Sequence, residues 1–95
     1  MKMKIEPSDT QKAALDAIRK VAAPFLRLRR TRTAFPSAHE VELYADPPFA
    51  MQEEERINDM LAEYLKNQEL KIEEFSVGLS MEPGLEGFIS ITLEQ

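Results

Sequence analysis

The spacing of apolar residues changes several times along the chain, and each change marks an element. Met1, Met3 and Ile5 alternate with Lys2 and Lys4, the period of a short strand with one wet face. Pro7 ends it. Ser8-Asp9-Thr10-Gln11 then has the form of a capping box, with Ser8 as N-cap and Gln11 three residues on. From there Ala14, Ile18, Val21, Phe25 and Leu28 recur at steps of three and four, flanked by Leu15, Ala22 and Leu26; this is the buried stripe of a helix. Pro24 interrupts it, because proline inside a helix removes a hydrogen bond and costs about 3 kcal/mol. Two readings follow. Either the helix runs to about Thr33 with a kink near Pro24, or it ends near Ala22 and residues 25–33 form a strand that sets Arg27 and Arg29 opposite Glu40 and Glu42. The continuation of the stripe to Leu28 favours the first.

After a turn at Ala34-Phe35-Pro36-Ser37, residues 40–45 alternate with Val41, Leu43 and Ala45 inward, which predicts a strand with one solvated face. Asp46-Pro47 reads as an N-cap followed by proline in the first helical position. The second helix is predicted to run to about Lys66, with Phe49/Ala50, Ile57, Met60/Leu61 and Tyr64/Leu65 on its inner face and Asn67 as its stop. In the C-terminal part, Phe75, Val77, Leu79 and Met81 alternate with small residues, and Ile89, Ile91 and Leu93 do the same. Glu82-Pro83-Gly84-Leu85 between them suits a type II turn. A loop centred on Gly84 pairs Leu79 with Ile89, Val77 with Ile91 and Phe75 with Leu93, so that all six are buried on one face. The economical packing is a single α+β domain over residues 1–95. Two amphipathic helices lie on one face of a mainly antiparallel sheet of four or five strands, ferredoxin-like if the uncertain strand exists.

Composition narrows the class. Of 95 residues, 43% are hydrophobic and only three are Gly, which is the material of one globular core. The chain has no Cys, hence no disulfide, no thiolate nucleophile and no Cys-ligated metal. No stretch approaches the length of a membrane span, and the basic N-terminus is followed by no apolar signal region, so a cytoplasmic, unprocessed protein is expected. The net charge of −5 conceals a split. Residues 1–34 hold nine Lys/Arg against three Asp/Glu, and residues 35–95 hold three against fourteen. Such a separation favours oriented encounters with a charged partner, self-association, or neutralisation within the fold.

Little in the sequence can build an active site. His39 is the sole histidine, and Ser37 beside it has no evident orienting acid or oxyanion hole. Glu53, Glu54, Glu55 and Asp59 include an i, i+4 pair, but no histidine or second acidic helix completes a metal site, and there is no glycine-rich phosphate loop. A non-enzymatic protein without cofactor or metal is expected. The basic candidates are Arg27, Arg29, Arg30 and Arg32, which with Arg19 and Lys20 form a patch able to contact phosphates. That patch lacks the interleaved aromatics of a single-strand reader, and pairing with residues 40–42 and the second helix is the commoner fate of such arginines. The acidic candidates are Glu54, Glu55, Asp59 and Glu63 on the second helix, either a solvated face or a surface for a basic partner.

Arg29-Arg30 followed by Ala34-Phe35-Pro36, then Val41 and Tyr44-Ala45, resembles the end of the first helix and the second strand of the DinI-like SOS-response proteins. Glu55-Arg56-Ile57, Met60-Leu61 and Glu63 resemble the start of that family's second helix. The resemblance covers about residues 1–66. The family's strand before the second helix is missing here, and the C-terminal hairpin is additional. It implies a small regulator of a RecA–DNA filament whose contacts fall on Glu54, Glu55, Asp59 and Glu63. The leading expectation is therefore a regulatory or inhibitory module that binds a basic protein partner through its acidic helix. The alternatives are a nucleic-acid contact through segment 27–32 and a small homodimer joined through charge halves or sheet edges.

Overall fold

The capping box at Ser8 is formed: the Ser8 hydroxyl accepts the Gln11 N–H at 3.1 Å, and the Gln11 side-chain oxygen accepts the Ser8 N–H at 2.9 Å. The computed structural model describes residues 6–81 and 84–95, so the strand expected over residues 1–5 and the Glu82-Pro83 half of the hairpin turn lie outside the described residues. Helix α1 spans Asp9–Leu26 and buries Ala14, Leu15, Ala17, Ile18, Val21 and Ala22. Gln11 is buried with them; its side-chain amide donates to the carbonyls of Ser37 and Glu40, which pins the start of α1 to a distant turn.

The helix passes Pro24 but stops at Leu26, so neither reading of residues 25–33 holds as written. Pro24 lies one turn from the end, and both it and Lys20 face solvent, where water can take the carbonyl left without a donor. Strand β1, Arg30–Ala34, follows at once, so the favoured extension of the helix to Thr33 is overturned: β1 gains a full ladder against β2, Glu40–Asp46. Arg32 pairs with Tyr44 and Arg30 with Asp46, whereas Arg27 and Arg29 precede the strand and do not face Glu40 and Glu42. Leu28, expected in the buried stripe, is fully exposed with φ 60 in the reversal between α1 and β1. That left-handed conformation is unfavourable for a residue with a branched side chain.

Helix α2 covers Met51–Lys66. It does not start at Asp46-Pro47: Asp46 ends β2, Ala50 is the N-cap, and the Glu53 carboxylate accepts the Ala50 N–H at 2.8 Å. Of the expected inner face, Phe49, Ile57 and Leu61 are buried and Tyr64 and Leu65 partly so, but Ala50 and Met60 are exposed, because a core stripe only one residue wide is covered by α1 and the sheet. Strands β3, Ile72–Ser80, and β4, Glu86–Leu93, complete the sheet in the order β1-β2-β4-β3, every neighbour antiparallel. The two helices and the inward residues Val41, Leu43, Ala45, Ile89, Ile91 and Leu93 form one core, giving the α+β architecture expected.

The hairpin register differs from the one read from the turn. Val77 pairs with Ile89, Phe75 with Ile91 and Leu79 with Gly87, while Leu93 reaches Ile72 past a bulge. The shift is two residues, so the apolar residues keep their face, but Leu79 moves to the turn end opposite Gly87 and is half-exposed rather than buried, and Phe75 and Val77 are only partly buried.

Candidate interaction surface

Helix α2 buries only Ile57 and Leu61, four residues apart, and leaves the rest of its circumference to solvent or to partial contacts. Glu55, Asp59 and Glu63 follow at i, i+4 and i+8, so they stack as one acidic ridge along the outer side. Grooves run on both sides of the ridge. The one toward α1 is lined by Lys20, Val21, Asp59, Met60, Glu63 and Tyr64 and is largely apolar. The one toward β3 is lined by Glu54, Glu55, Asn58, Asp59 and Val77. The four acidic residues named from the sequence are thus brought together. Glu63 makes an exposed i, i+3 contact with Lys66 at 3.7 Å; among the described residues Glu54, Glu55 and Asp59 form no ion pair.

Glu53 belongs elsewhere. Arg29, mostly buried, donates to the carbonyls of Phe25, Pro47 (2.8 Å) and Pro48 (3.2 Å) and to the Glu53 carboxylate (3.0 Å), and its guanidinium lies 5.0 Å from the Phe49 ring centre. The planar fork suits this multiple bonding. Arg29 therefore clamps the end of α1 to the β2–α2 connection. The hydrogen bond from the Ala50 N–H, and then Arg29, hold the Glu53 carboxyl below the ordinary glutamate range against the opposing effect of burial.

Arg32 is engaged in a different way. It makes a two-pronged contact with Glu86, at 2.8 and 3.2 Å, and lies 3.9 Å over the Tyr44 ring. The Glu86 hydrogen bond raises its pKa. The Tyr44 hydroxyl donates to Glu42 at 2.8 Å; burial first, then this contact, raise its pKa. Of the four arginines named from the sequence, only Arg27 and Arg30 stay exposed without an ion pair among the described residues. Arginines do neutralise acids within the fold: Arg29 meets Glu53 on the second helix, as expected, whereas Arg32 meets Glu86 on β4 rather than Glu40 or Glu42.

Sequence reasoning missed Tyr44 and Phe88, which meet at 5.3 Å on the helix-free face of the two central strands. The signal was present: both occupy the outward positions of otherwise alternating strands. His39 and Ser37 serve the chain reversal before β2. The Ser37 hydroxyl accepts the His39 N–H at 3.2 Å, and the His39 carbonyl accepts the Leu93 N–H at 2.7 Å. Among the described residues no group of three or more His, Asp or Glu is placed to hold a metal ion, and no helix is long and apolar enough to cross a membrane. No protein-family model and no curated protein matches the chain.

Proposed function

We propose that this protein is a small non-catalytic regulatory or inhibitory module that docks on a basic protein surface through α2, as the DinI-like resemblance implies for a RecA-type filament. The observation that carries the reading is the Glu55–Asp59–Glu63 ridge, with Glu54 beside it. These carboxylates are almost without partners within the described fold, and they border a groove in which Met60 and Tyr64 offer apolar contact. Charge supplies orientation and encounter rate, and a flexible methionine adapts to an apolar anchor on the partner. The internal engagement of Arg29 and Arg32 weakens the competing nucleic-acid reading.

The test starts with capture from the native host and with a RecA-type filament on single-stranded DNA as the first purified candidate. The variant Glu55→Lys/Asp59→Lys alters two exposed positions, so its thermal melt should match the parent within about 0.5 kcal/mol. Binding to the partner should fall at least about tenfold, mainly through a slower association rate. If affinity and salt dependence are unchanged, α2 is not the docking surface.

A further inference from the structure

The sheet has two edges, and they differ. β1 is five residues long and carries Arg30 and Arg32 on its outward face. β3 is nine residues long, and beyond the bulge between Ile72 and Glu74 its ladder is regular from residue 74 to residue 80. Antiparallel ladders alternate, so two backbone hydrogen bonds fix which groups of β3 are free. Leu93 donates to His39, so the odd-numbered residues of β4 address β2; Glu94 donates to Lys71, so the even-numbered ones address β3. Their partners Glu74, Ser76 and Gly78 are committed to the ladder. Phe75, Val77 and Leu79 consequently turn their backbone N–H and C=O groups away from the sheet, toward no other strand among the described residues.

We infer that β3 accepts an extended, lysine- or arginine-rich segment of a partner protein as an additional antiparallel or parallel strand. This deepens the docking proposal for α2 and rests on it. The edge supplies the main-chain pairing and therefore calls for an extended occupant. Charge determines its composition. Alternate side chains of an added strand point to the helix side, into the groove where Glu54, Glu55 and Asp59 stand beside Val77. Glu73 and Glu74 add negative charge at the bulged end. A second copy of this chain is the less favourable occupant: pairing β3 with β3 brings the α2 helices together on one side of the joined sheet, with Glu54, Glu55 and Asp59 of both copies facing each other near the two-fold axis.

The probe is a capped synthetic peptide of alternating lysine and threonine, long enough to cover residues 74–80, with a glutamate–threonine peptide as control. Hydrogen exchange by NMR should show the amides of Phe75, Val77 and Leu79 exchanging fast in the free protein and protected by the lysine peptide only. Leu79→Pro deletes one outward N–H at a half-exposed edge position, which a sheet tolerates, and should weaken binding about tenfold. Leu79→Thr keeps that N–H and should bind like the parent; equal melting of the two variants excludes misfolding. Absence of binding overturns the inference. So does binding that shifts the Glu55 and Asp59 resonances while the three edge amides remain unprotected, and that outcome leaves the α2 reading standing. A concentration-dependent dimer dissolved by Leu79→Pro assigns the edge to a second copy and overturns the inference as well.

Discussion

Gly87 shows how a single residue is constrained by something far away in sequence. It is buried in β4, and a Cβ placed on it would stand 2.6 and 2.7 Å from the Cδ2 and Cε2 atoms of the buried Phe49 ring. Its backbone is not in a glycine-only region, so the constraint is space. Gly87→Ala should cost about 1–3 kcal/mol by overpacking, read as a lower denaturation midpoint. Phe49→Leu in the Gly87→Ala background should recover part of that loss, since contacting residues are not additive. An unchanged midpoint for Gly87→Ala would show that the ring moves freely. Sequence spacing cannot reveal this pair, because Phe49 comes from the connection before α2. Gln11 is the half-legible counterpart: its capping bond is local and was readable, but its bonds to Ser37 and Glu40 depend on the tertiary fold. Arg29 was legible as a partner of an acid on the second helix, which Glu53 is, but the carbonyls it also binds leave no mark in side-chain chemistry.

At the level of elements, the strands with one clean apolar face were legible and the ends of the helices were not. Alternation specifies which face of β3 and β4 is inward but not which cross-strand partner is met, since a two-residue shift preserves it. The observed register makes Ile91 a central, buried residue and Leu79 a half-exposed one at the turn end. Ile91→Ala should therefore cost about 2–5 kcal/mol in chemical denaturation, and Leu79→Ala less than about 1 kcal/mol. Comparable losses at both positions would contradict this register. The end of α1 was misread because the apolar spacing continues through Leu28 while pairing with β2 pulls the chain out of the helix. The start of α2 was misread because Asp46-Pro47 carries a start signal that belongs to the end of a strand. The acidic ridge, in contrast, was legible from helical spacing alone.

For the molecule as a whole, the α+β class followed from the order of periodicities, but the charge split is partly neutralised within the fold. Arg29 and Arg32 are drawn into contacts with Glu53 and Glu86, which takes two of the four arginines of segment 27–32 away from phosphates. Duplex and single-stranded DNA should accordingly bind weakly at physiological salt. A gel shift with sub-micromolar, steeply salt-dependent binding would restore the arginine segment as the functional surface. The position of β4 has a further consequence, for synthesis. This strand follows α1, β1, β2, α2 and β3 in the chain, yet it lies between β2 and β3 in the sheet. A ribosome adding about 5–20 residues per second completes both helices and the β1–β2 hairpin seconds before β4 is available to them. During that interval the side of β2 that later pairs with β4 has no strand beside it, and the ladder groups of Val41, Leu43 and Ala45 wait for the central strand to arrive.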